Sequence, residues 1–248
     1  MFNMRRVEDI DTLQGAVDTL RGLFNYMYAG DMLITFDRNM SFFEDARFLE
    51  AFNANVVEEF EKALMWRHHV YTWCVRNCLR LEGDFAECGV YRGFSVAVAA
   101  HTVDFARCAR QWYLYDTFSG VPADQRNANA SARSSDVARY TEPDLYEACR
   151  RKFARYPNVQ VVQGRVPEVL RERAPARVAF LHLDMNSARA EAAALEFFWP
   201  RLAPGAMLLL DDYGWRGYRE QKLAADAFLA QHGKFVLELP TGQGLVLA

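Results

Sequence analysis

The segment Asp84-Phe-Ala-Glu87-Cys-Gly89-Val-Tyr-Arg-Gly93-Phe-Ser95 decides the fold of this chain. A short apolar run passes through two glycines into a helical pattern, which predicts a strand, a tight turn and a helix. Glycine lets the backbone approach a ligand closely, and the first turn of a helix offers unpaired N–H groups. The pattern therefore predicts a small-molecule cofactor above the turn.

After this segment, short apolar runs alternate with helical patterns. Strands are predicted over residues 85–88, 112–115, 159–162, 178–183 and 207–210, and helices over 94–105, 143–156, 167–173, 190–199 and 217–231. Strands that alternate with helices form a parallel sheet covered on both faces. We expect a doubly wound, Rossmann-like α/β sheet, followed by an antiparallel hairpin over 234–239 and 245–248.

The first 80 residues follow a helical rhythm. Ser41 and Glu44 match a capping box before one helix, and a second helical stretch runs over 56–80 toward Gly83. We therefore expect a helical N-terminal extension over residues 1–82, which acts as a cap or an oligomerisation element. A cofactor-binding domain is expected over residues 83–248.

The composition limits the classes of ligand and the location. With 248 residues, 51% of them hydrophobic, the chain is globular, and its net charge of -3 without runs of like charge argues against nucleic acid as a main ligand. Its apolar runs are far shorter than the roughly 20 residues of a membrane-spanning helix. Five cysteines without CxxC spacing indicate reduced thiols, and no secretory signal is recognised. We expect a cytoplasmic protein without a membrane partner.

The segment 119–141 is long for a connection inside a compact domain. Loops longer than about 12 to 15 residues are commonly lids, binding loops or disordered segments. We expect a lid here, with a floppy surface loop as the alternative.

Two acidic positions indicate which cofactor is bound. Glu87 precedes Gly89 in an E-x-G-x-x-x-G spacing, instead of the G-x-G-x-x-G that cradles a diphosphate. A carboxylate at this point would repel a diphosphate, but it tolerates the positively charged amine and sulfonium of S-adenosylmethionine. Asp116 ends the next predicted strand, where an acceptor for the ribose hydroxyls is expected, unless it only caps a turn.

Carboxylates also follow two later strands. Asp184 ends the strand over 178–183, and Asp211 and Asp212 end the strand over 207–210. The carboxyl ends of parallel strands share one edge, where three carboxylates would repel each other without a cation. Mg²⁺ commonly takes one or two carboxylates together with water and substrate, so these residues predict a magnesium site. The alternative is that one or two of them cap helices.

Several motifs together resemble one known family. The motifs are Glu87-Cys-Gly-Val-x-x-Gly93, Asp116-Thr-Phe118, Leu183-Asp184, Pro204-Gly205 and Asp211-Asp-Tyr213. They look like those of the macrocin O-methyltransferase family, whose members methylate sugar hydroxyls in antibiotic and polysaccharide pathways. The resemblance implies a class I methyltransferase fold, S-adenosylmethionine as the donor and, in several relatives, a Mg²⁺ ion that orients the sugar hydroxyls.

The glycine turn and the strand ends define the predicted site. The predicted cofactor-binding residues are Glu87, Gly89, Tyr91, Gly93, Ser95, Asp116, Thr117, Phe118, Gly164 and Asp184. The predicted metal ligands are Asp184, Asp211 and Asp212.

The chain departs from the family at the expected catalytic base. The family typically reads Leu-Asp-Gly-Asp here, and the second Asp is a candidate base, whereas this chain has Asn186 at that position. An amide does not accept a proton at neutral pH. The predicted catalytic residues are therefore Asp184 and His182, which strand periodicity puts on the same face, about 6 to 7 Å apart. A buried, hydrogen-bonded histidine is the alternative interpretation of His182.

These features predict an S-adenosylmethionine-dependent O-methyltransferase that acts, assisted by Mg²⁺, on a hydroxyl of a sugar or sugar-containing small molecule. Nucleotide sugars, polysaccharides and natural-product precursors all belong to that class. We expect a homo-oligomer formed through the N-terminal helices. Two alternatives are an NAD(P)-dependent sugar reductase or epimerase, which the missing G-x-G-x-x-G and Tyr-x-x-x-Lys patterns argue against, and a non-catalytic cofactor-binding protein.

Overall fold

A central sheet dominates the structure, a computed structural model that describes residues 10–127 and 140–248. The α-helices are α1 (Ile10–Leu23), α2 (Ala46–Asn55), α3 (Met65–Cys78), α4 (Phe94–Thr102), α5 (Leu145–Phe153), α6 (Leu170–Arg173), α7 (Ala188–Phe198) and α8 (Arg219–Ala230). The strands are β1 (Met27–Gly30), β2 (Leu33–Phe36), β3 (Asp84–Cys88), β4 (Trp112–Asp116), β5 (Val159–Gln163), β6 (Val178–Leu183), β7 (Leu202–Leu210), β8 (Leu237–Glu238) and β9 (Gly244–Leu247). None of the helices in the described part is long and apolar enough to cross a bilayer. Much of the expected lid, residues 128–139, lies outside the described residues.

Seven strands form the main sheet in the order β5-β4-β3-β6-β7-β9-β8. The five strands from β5 to β7 in this order pair in parallel. β9 pairs antiparallel with both β7 and β8. The structure confirms the predicted doubly wound sheet and its terminal hairpin, although β8 spans only two residues.

Apolar side chains cover both faces of the sheet, as a parallel sheet requires. On one face, Phe85 and Trp112 pack in a cluster with residues of α3, α4 and α5. On the other face, Ala86 and Tyr115 pack in a cluster with residues of α7 and α8. Neighbouring residues of β3 thus enter different cores, which explains why Phe85 and Ala86 are both apolar and buried.

The site is positioned where the chain changes direction across the sheet. β4 and β5 lie on one side of β3, whereas β6 and β7 lie on the other side. Ligands of open α/β sheets bind in the crevice at such a switch point. Cys88 and Leu183 are register partners at the carboxyl ends of β3 and β6, so the glycine turn lies next to Asp184.

Gly89 makes this close approach sterically feasible. Its φ angle is +89°, and a Cβ atom there would lie 1.9 Å from the carbonyl oxygen of Asp184. The Gly89 N–H donates to the carbonyl oxygen of Tyr115 at 2.9 Å, while the Asp184 N–H donates to the carbonyl oxygen of Cys88 at 2.9 Å. Only glycine combines the positive φ with this contact.

The N-terminal extension is not entirely helical, which corrects the sequence-based prediction. β1 and β2 form an antiparallel hairpin, and Asp31 and Met32 in its turn both adopt positive φ. Turns of this kind match the twist of the strands that they connect, and Asp tolerates the left-handed conformation. Residues 33–36 contain Ile34 and Thr35, and such β-branched residues favour a strand.

Helix α2 begins after the predicted capping box, which is therefore wrong. Asp45 is the N-cap residue, because its side chain accepts a hydrogen bond of 3.0 Å from the N–H of Phe48. Ser41 instead begins a separate single turn of 3-10 helix over Ser41–Phe43. Asp caps helices as well as Ser does, so the cap is Asp45, which directly precedes the first turn of α2.

Helix α3 brings the N-terminal extension into the main core. Tyr71, Cys74, Val75 and Cys78 are buried in the same cluster as Phe85 of β3. The two cysteines are free thiols that pack as apolar side chains. The extension therefore contributes one layer of the core that supports the site.

We predict that Gly89→Ala destabilises the fold by about 3 kcal/mol or more, because the new Cβ atom collides with backbone at a positive φ. Gly15→Ala is the matched control, since a Cβ atom at Gly15 of α1 meets nothing within 4 Å. It should stabilise the fold by about 0.5 to 1 kcal/mol through helix propensity. Denaturant unfolding monitored by circular dichroism measures both, and equal effects of the two variants would contradict the steric argument.

Candidate functional site

A cleft of about 660 Å³, counting its open mouth, lies at the carboxyl ends of β3, β4 and β6. Six predicted site residues line it: Gly89, Tyr91, Asp116, Thr117, Gly164 and Asp184. Sequence reasoning missed further lining residues, among them Tyr115, Gln125, Tyr140, Met185 and Ala190. These residues lie on a strand, in loops or in the first turn of a helix, and their residue types alone do not indicate that they line a ligand site.

Asp116 fastens the glycine turn to β4. Its Oδ2 accepts hydrogen bonds from the N–H groups of Val90 at 2.7 Å and Tyr91 at 2.8 Å. Its Oδ1 accepts from the N–H of Phe118 at 2.7 Å. These bonds fix the carboxylate at the wall of the cleft.

The other four predicted cofactor residues lie outside the cleft lining. Gly93 begins α4 at φ +68°, and Phe118 is 6% exposed. The Ser95 hydroxyl lies 3.1 Å from Nδ1 of His68 on α3. Glu87 is 2% exposed and accepts a short hydrogen bond from the Tyr71 hydroxyl. Glu87 therefore lies beneath the cleft and does not line it.

His182 lies beneath the cleft between two carboxylates. Its Nδ1 is 3.4 Å from Oε2 of Glu87, and its Nε2 is 3.6 Å from Oδ1 of Asp211. Burial lowers the pKa of His182, but the neighbouring charges of Glu87 and Asp211 outweigh burial and raise it to about 10. The imidazolium form that these charges favour does not accept a proton, and His182 does not line the cleft.

The three predicted metal ligands do come together. Carboxylate oxygens of Asp184, Asp211 and Asp212 lie within 4.8 Å of one another. Leu183 and Leu210 are register partners, so the acidic residues that follow β6 and β7 are neighbours. Sequence reasoning predicted this cluster because strand ends of a parallel sheet share an edge.

The cluster has the properties of a divalent-cation site. Oδ2 of Asp212 is buried and has no hydrogen-bond partner among the described residues. Burial, together with the charges of the neighbouring carboxylates, raises the pKa values of Asp184 and Asp212 well above the ordinary value. An oxygen-binding cation would offset both the repulsion and the missing partner, so the residues present fit Mg²⁺.

Arg67 is a central residue of the site that sequence reasoning missed. It extends from α3, and its Nη1 lies 2.5 Å from Oδ2 of Asp211. Its Nε lies 2.9 Å from Oδ1 of Asp31 in the β1–β2 turn. Arg67 and Tyr71 are four residues apart on α3 and contact Asp211 and Glu87, respectively. The i, i+4 spacing of Arg67 and Tyr71 places both side chains on one face of α3, and this spacing was the available signal.

Glu191 of α7 supports the loop that follows β6. Its Oε1 accepts hydrogen bonds from the N–H of Met185 at 3.2 Å and from Nε2 of Gln221 at 3.1 Å. Burial raises the pKa of Glu191 to about 7, although these two hydrogen bonds act in the opposite direction. Asn186 in the same loop lines the cleft and adopts φ +53°, which Asn tolerates better than most residues.

We predict that Glu191→Gln makes stability less dependent on pH. Between the ordinary pKa of 4.5 and the folded value of about 7, folded Glu191 keeps a proton that the unfolded chain releases. Wild-type stability therefore falls as pH rises through this window, with a contribution of about 1.4 kcal/mol per pH unit from Glu191. Glutamine keeps the acceptor oxygen but does not titrate.

Urea unfolding at several pH values between 4.5 and 8 measures this slope. Glu196→Gln, on the exposed side of the same helix, is the matched control and should leave the slope unchanged. An unchanged slope in Glu191→Gln would contradict the role assigned to this carboxyl group.

Comparison with curated proteins identifies two methyltransferase relatives. The chain is 30% identical over 151 residues to 8-demethyl-8-(2,3-dimethoxy-alpha-L-rhamnosyl)-tetracenomycin-C 4'-O-methyltransferase of Streptomyces olivaceus, covering 57% of this chain and 58% of that protein. It is 27% identical over 171 residues to mycinamicin III 3''-O-methyltransferase of Micromonospora griseorubida, covering 64% of this chain and 66% of that protein. Each match thus spans less than two thirds of the relative.

Solved structures share the fold. The O-methyltransferase NovP superposes with a TM-score of 0.62 at 20% identity, covering 74% of this chain and 79% of that chain. The calicheamicin methyltransferase CalS11 superposes with a TM-score of 0.61 at 18% identity, covering 86% and 94%. The fold is therefore that of class I methyltransferases.

The family model described as macrocin O-methyltransferase (TylF) matches residues 70–234. The match includes α4 and the strands from β3 to β7, and with them the glycine turn, Asp116 and the three clustered aspartates. It begins within α3, one residue before Tyr71. The chain belongs to the macrocin O-methyltransferase family.

Proposed function

We propose that this protein is an S-adenosylmethionine-dependent O-methyltransferase that methylates a hydroxyl of a sugar or sugar-containing small molecule. The observation that carries the proposal is the cleft, in which the glycine turn, Asp116 and Asp184 meet at the switch point of the sheet. Family membership supports the reaction, and both relatives are O-methyltransferases by name. Their named substrates, one of which carries a rhamnosyl group, favour a glycosylated natural product or its sugar precursor as acceptor.

In this proposal the cofactor occupies the cleft lined by Gly89 and Asp116. Gly89 leaves room for the methionine part, and Asp116 accepts hydrogen bonds from the ribose hydroxyls. The acidic groups around and beneath the cleft favour a cationic sulfonium electrostatically. Glu87 takes part through its charge, because the residue itself lies beneath the lining.

The metal-assisted part of the proposal assigns Asp184, Asp211 and Asp212 to Mg²⁺. When bound, the ion would orient sugar hydroxyls and lower the pKa of the hydroxyl that reacts. Asp184 is assigned to take the hydroxyl proton, and its position as the member of the cluster that lines the cleft supports this assignment. His182 has a different role, as a buried cation that holds Glu87 and Asp211 in place.

Methyl transfer requires an in-line arrangement of hydroxyl oxygen, methyl carbon and sulfur. The oxygen–carbon bond forms as the carbon–sulfur bond breaks, and the electron pair stays on sulfur to give S-adenosylhomocysteine. The chain aligns these three atoms, because the glycine turn and Asp116 at β3 and β4 and the acidic cluster at β6 and β7 belong to the same sheet. The loop at Met185 and Asn186 lines the same cleft.

The N-terminal residues 1–82 are proposed to cap the domain over residues 83–248 and to join subunits. Large hydrophobic side chains at Leu23, Phe24 and Tyr26 are 71%, 42% and 65% exposed, which favours burial in a homo-oligomer. Light scattering after size exclusion tests this. A strictly monomeric protein at micromolar concentration would refute the subunit contact.

We predict that the protein binds S-adenosylhomocysteine and not NADH in isothermal titration. Asp116→Asn should weaken that binding at least about tenfold, because a charged acceptor of the ribose hydroxyls is lost. Asp18→Ala on the exposed face of α1 is the control and should bind like wild type. Binding of NADH instead would support the reductase alternative.

The second half of this test is turnover with sugar acceptors. Nucleotide sugars and glycosylated natural products are offered with S-adenosylmethionine, and formation of S-adenosylhomocysteine is followed. We expect acceptor-dependent formation that requires Asp184. Tight cofactor binding without turnover on any acceptor would favour the non-catalytic alternative.

A further inference from the structure

We propose that Arg67 is a positioning residue that acts as a built-in cation of the acidic cluster, holding Asp211 and leaving Asp184 and Asp212 as the carboxylates that bind a divalent cation. The inference rests on the metal site of the proposed function and changes its ligand set, because it assigns Asp211 to Arg67 and only Asp184 and Asp212 to the ion. Its basis is that carboxylate oxygens of the three aspartates lie within 4.8 Å of one another, but the three residues differ in their hydrogen-bond and ion-pair partners.

Asp211 has partners on both carboxylate oxygens. Oδ2 lies 2.5 Å from Nη1 of Arg67. Oδ1 accepts a hydrogen bond of 2.9 Å from Nε2 of Gln243 and lies 3.6 Å from Nε2 of His182. Each carboxylate oxygen of Asp211 thus already accepts a hydrogen bond, and the guanidinium, the amide and the nearby imidazole compete with a metal ion for these oxygens.

Asp184 and Asp212 are paired differently. Asp184 lines the cleft. Asp212 has a buried oxygen, Oδ2, without a hydrogen-bond partner among the described residues. These two carboxylates therefore keep oxygen atoms free for a hard cation, and Mg²⁺ sites commonly use one or two carboxylates with water and substrate.

Arg67 is fixed in place and does not withdraw to release Asp211. Its Nε pairs with Asp31 at 2.9 Å, its Nη2 lies 3.4 Å from the carbonyl oxygen of Thr241, and its guanidinium carbon is 5.6 Å from the ring centroid of Trp215. The Arg67 side chain is only 13% exposed. Moving it would leave a buried carboxylate, Asp31, without its cation, which is unfavourable.

The charge of Arg67 also determines how much positive charge a bound metal ion must supply to the cluster. Arg67 and His182 both lie beside Asp211, although Arg67 also pairs with Asp31 and His182 with Glu87, whereas Asp184 and Asp212 form no ion pair with any described residue. A single divalent cation matches those two. The N-terminal extension thus supplies, through α3, a fixed part of the charge balance that the metal completes.

The test compares three isosteric variants, Asp184→Asn, Asp211→Asn and Asp212→Asn, which all remove one negative charge from the same cluster. Binding of Mn²⁺ to the full chain is measured by isothermal titration, and thermal unfolding is measured without metal. We expect Asp184→Asn and Asp212→Asn to weaken Mn²⁺ binding more than about 100-fold, and Asp211→Asn only about 10- to 100-fold, the range of an outer-shell change.

The melting temperatures of the metal-free variants should also distinguish Asp211 from the other two aspartates. Asp184→Asn and Asp212→Asn relieve repulsion between carboxylates and should raise the melting temperature of the metal-free protein. Asp211→Asn leaves Arg67 with one carboxylate less and should lower it. A loss of Mn²⁺ binding in Asp211→Asn as large as in the other two, or the same change in melting temperature in all three, would overturn the inference.

A second variant keeps the test decisive if Asp211→Asn does not fold. Arg67→Gln combined with Asp31→Asn removes one charge of each sign and releases Asp211, so Mn²⁺ binding should tighten; unchanged or weaker binding would overturn the inference. If the wild-type protein and this double variant both fail to bind Mn²⁺, the metal site and the assignment of its carboxylates are refuted together. Binding of S-adenosylhomocysteine then decides separately on the methyltransferase proposal.

Discussion

Buried carboxylates at the carboxyl edge of the sheet impose a charge balance on which the rest of the structure depends. Glu87, Asp184, Asp211 and Asp212 are brought together because β3, β6 and β7 are neighbours and end at the same edge. A charge removed from water needs a partner of opposite sign. His182 and Arg67 provide such partners inside the protein, and each contacts two of the surrounding acidic groups.

This balance explains why the N-terminal extension is packed so tightly onto the catalytic part. On helix α3, Arg67 pairs with the carboxylate of Asp211 and Tyr71 donates a hydrogen bond to that of Glu87. Apolar residues of the same helix fill the core on the same face of the sheet. The β1–β2 turn then supplies Asp31 as the second partner of Arg67. The hairpin, the helix and the acidic edge are consequently one electrostatic unit, although they are far apart in the sequence.

The two walls of the cleft follow from different physical causes. The side of the cleft at β3 and β4 is built mainly from backbone, because Gly89 permits a close approach and the Asp116 carboxylate accepts hydrogen bonds from N–H groups of the turn. The acidic side at β6 and β7 is built from side chains, and its geometry depends on the strand register and on the ion pairs that lie behind it. A substitution in the first wall acts on the backbone conformation, whereas one in the second acts on charge.

The amino-acid sequence alone determined the alternation of strands and helices, the glycine turn, the terminal hairpin and the convergence of the three aspartates, because these depend on local periodicity and on the rule that parallel strands end at one edge. The β1–β2 hairpin was missed since its short strands lie among helical patterns. Only the tertiary structure decided which carboxylates are paired, that Glu87 and His182 lie beneath the cleft, and that Arg67 joins the site. Such pairing depends on distances of a few ångströms between residues far apart in the chain, such as Arg67 and Asp211, and no local pattern encodes those distances.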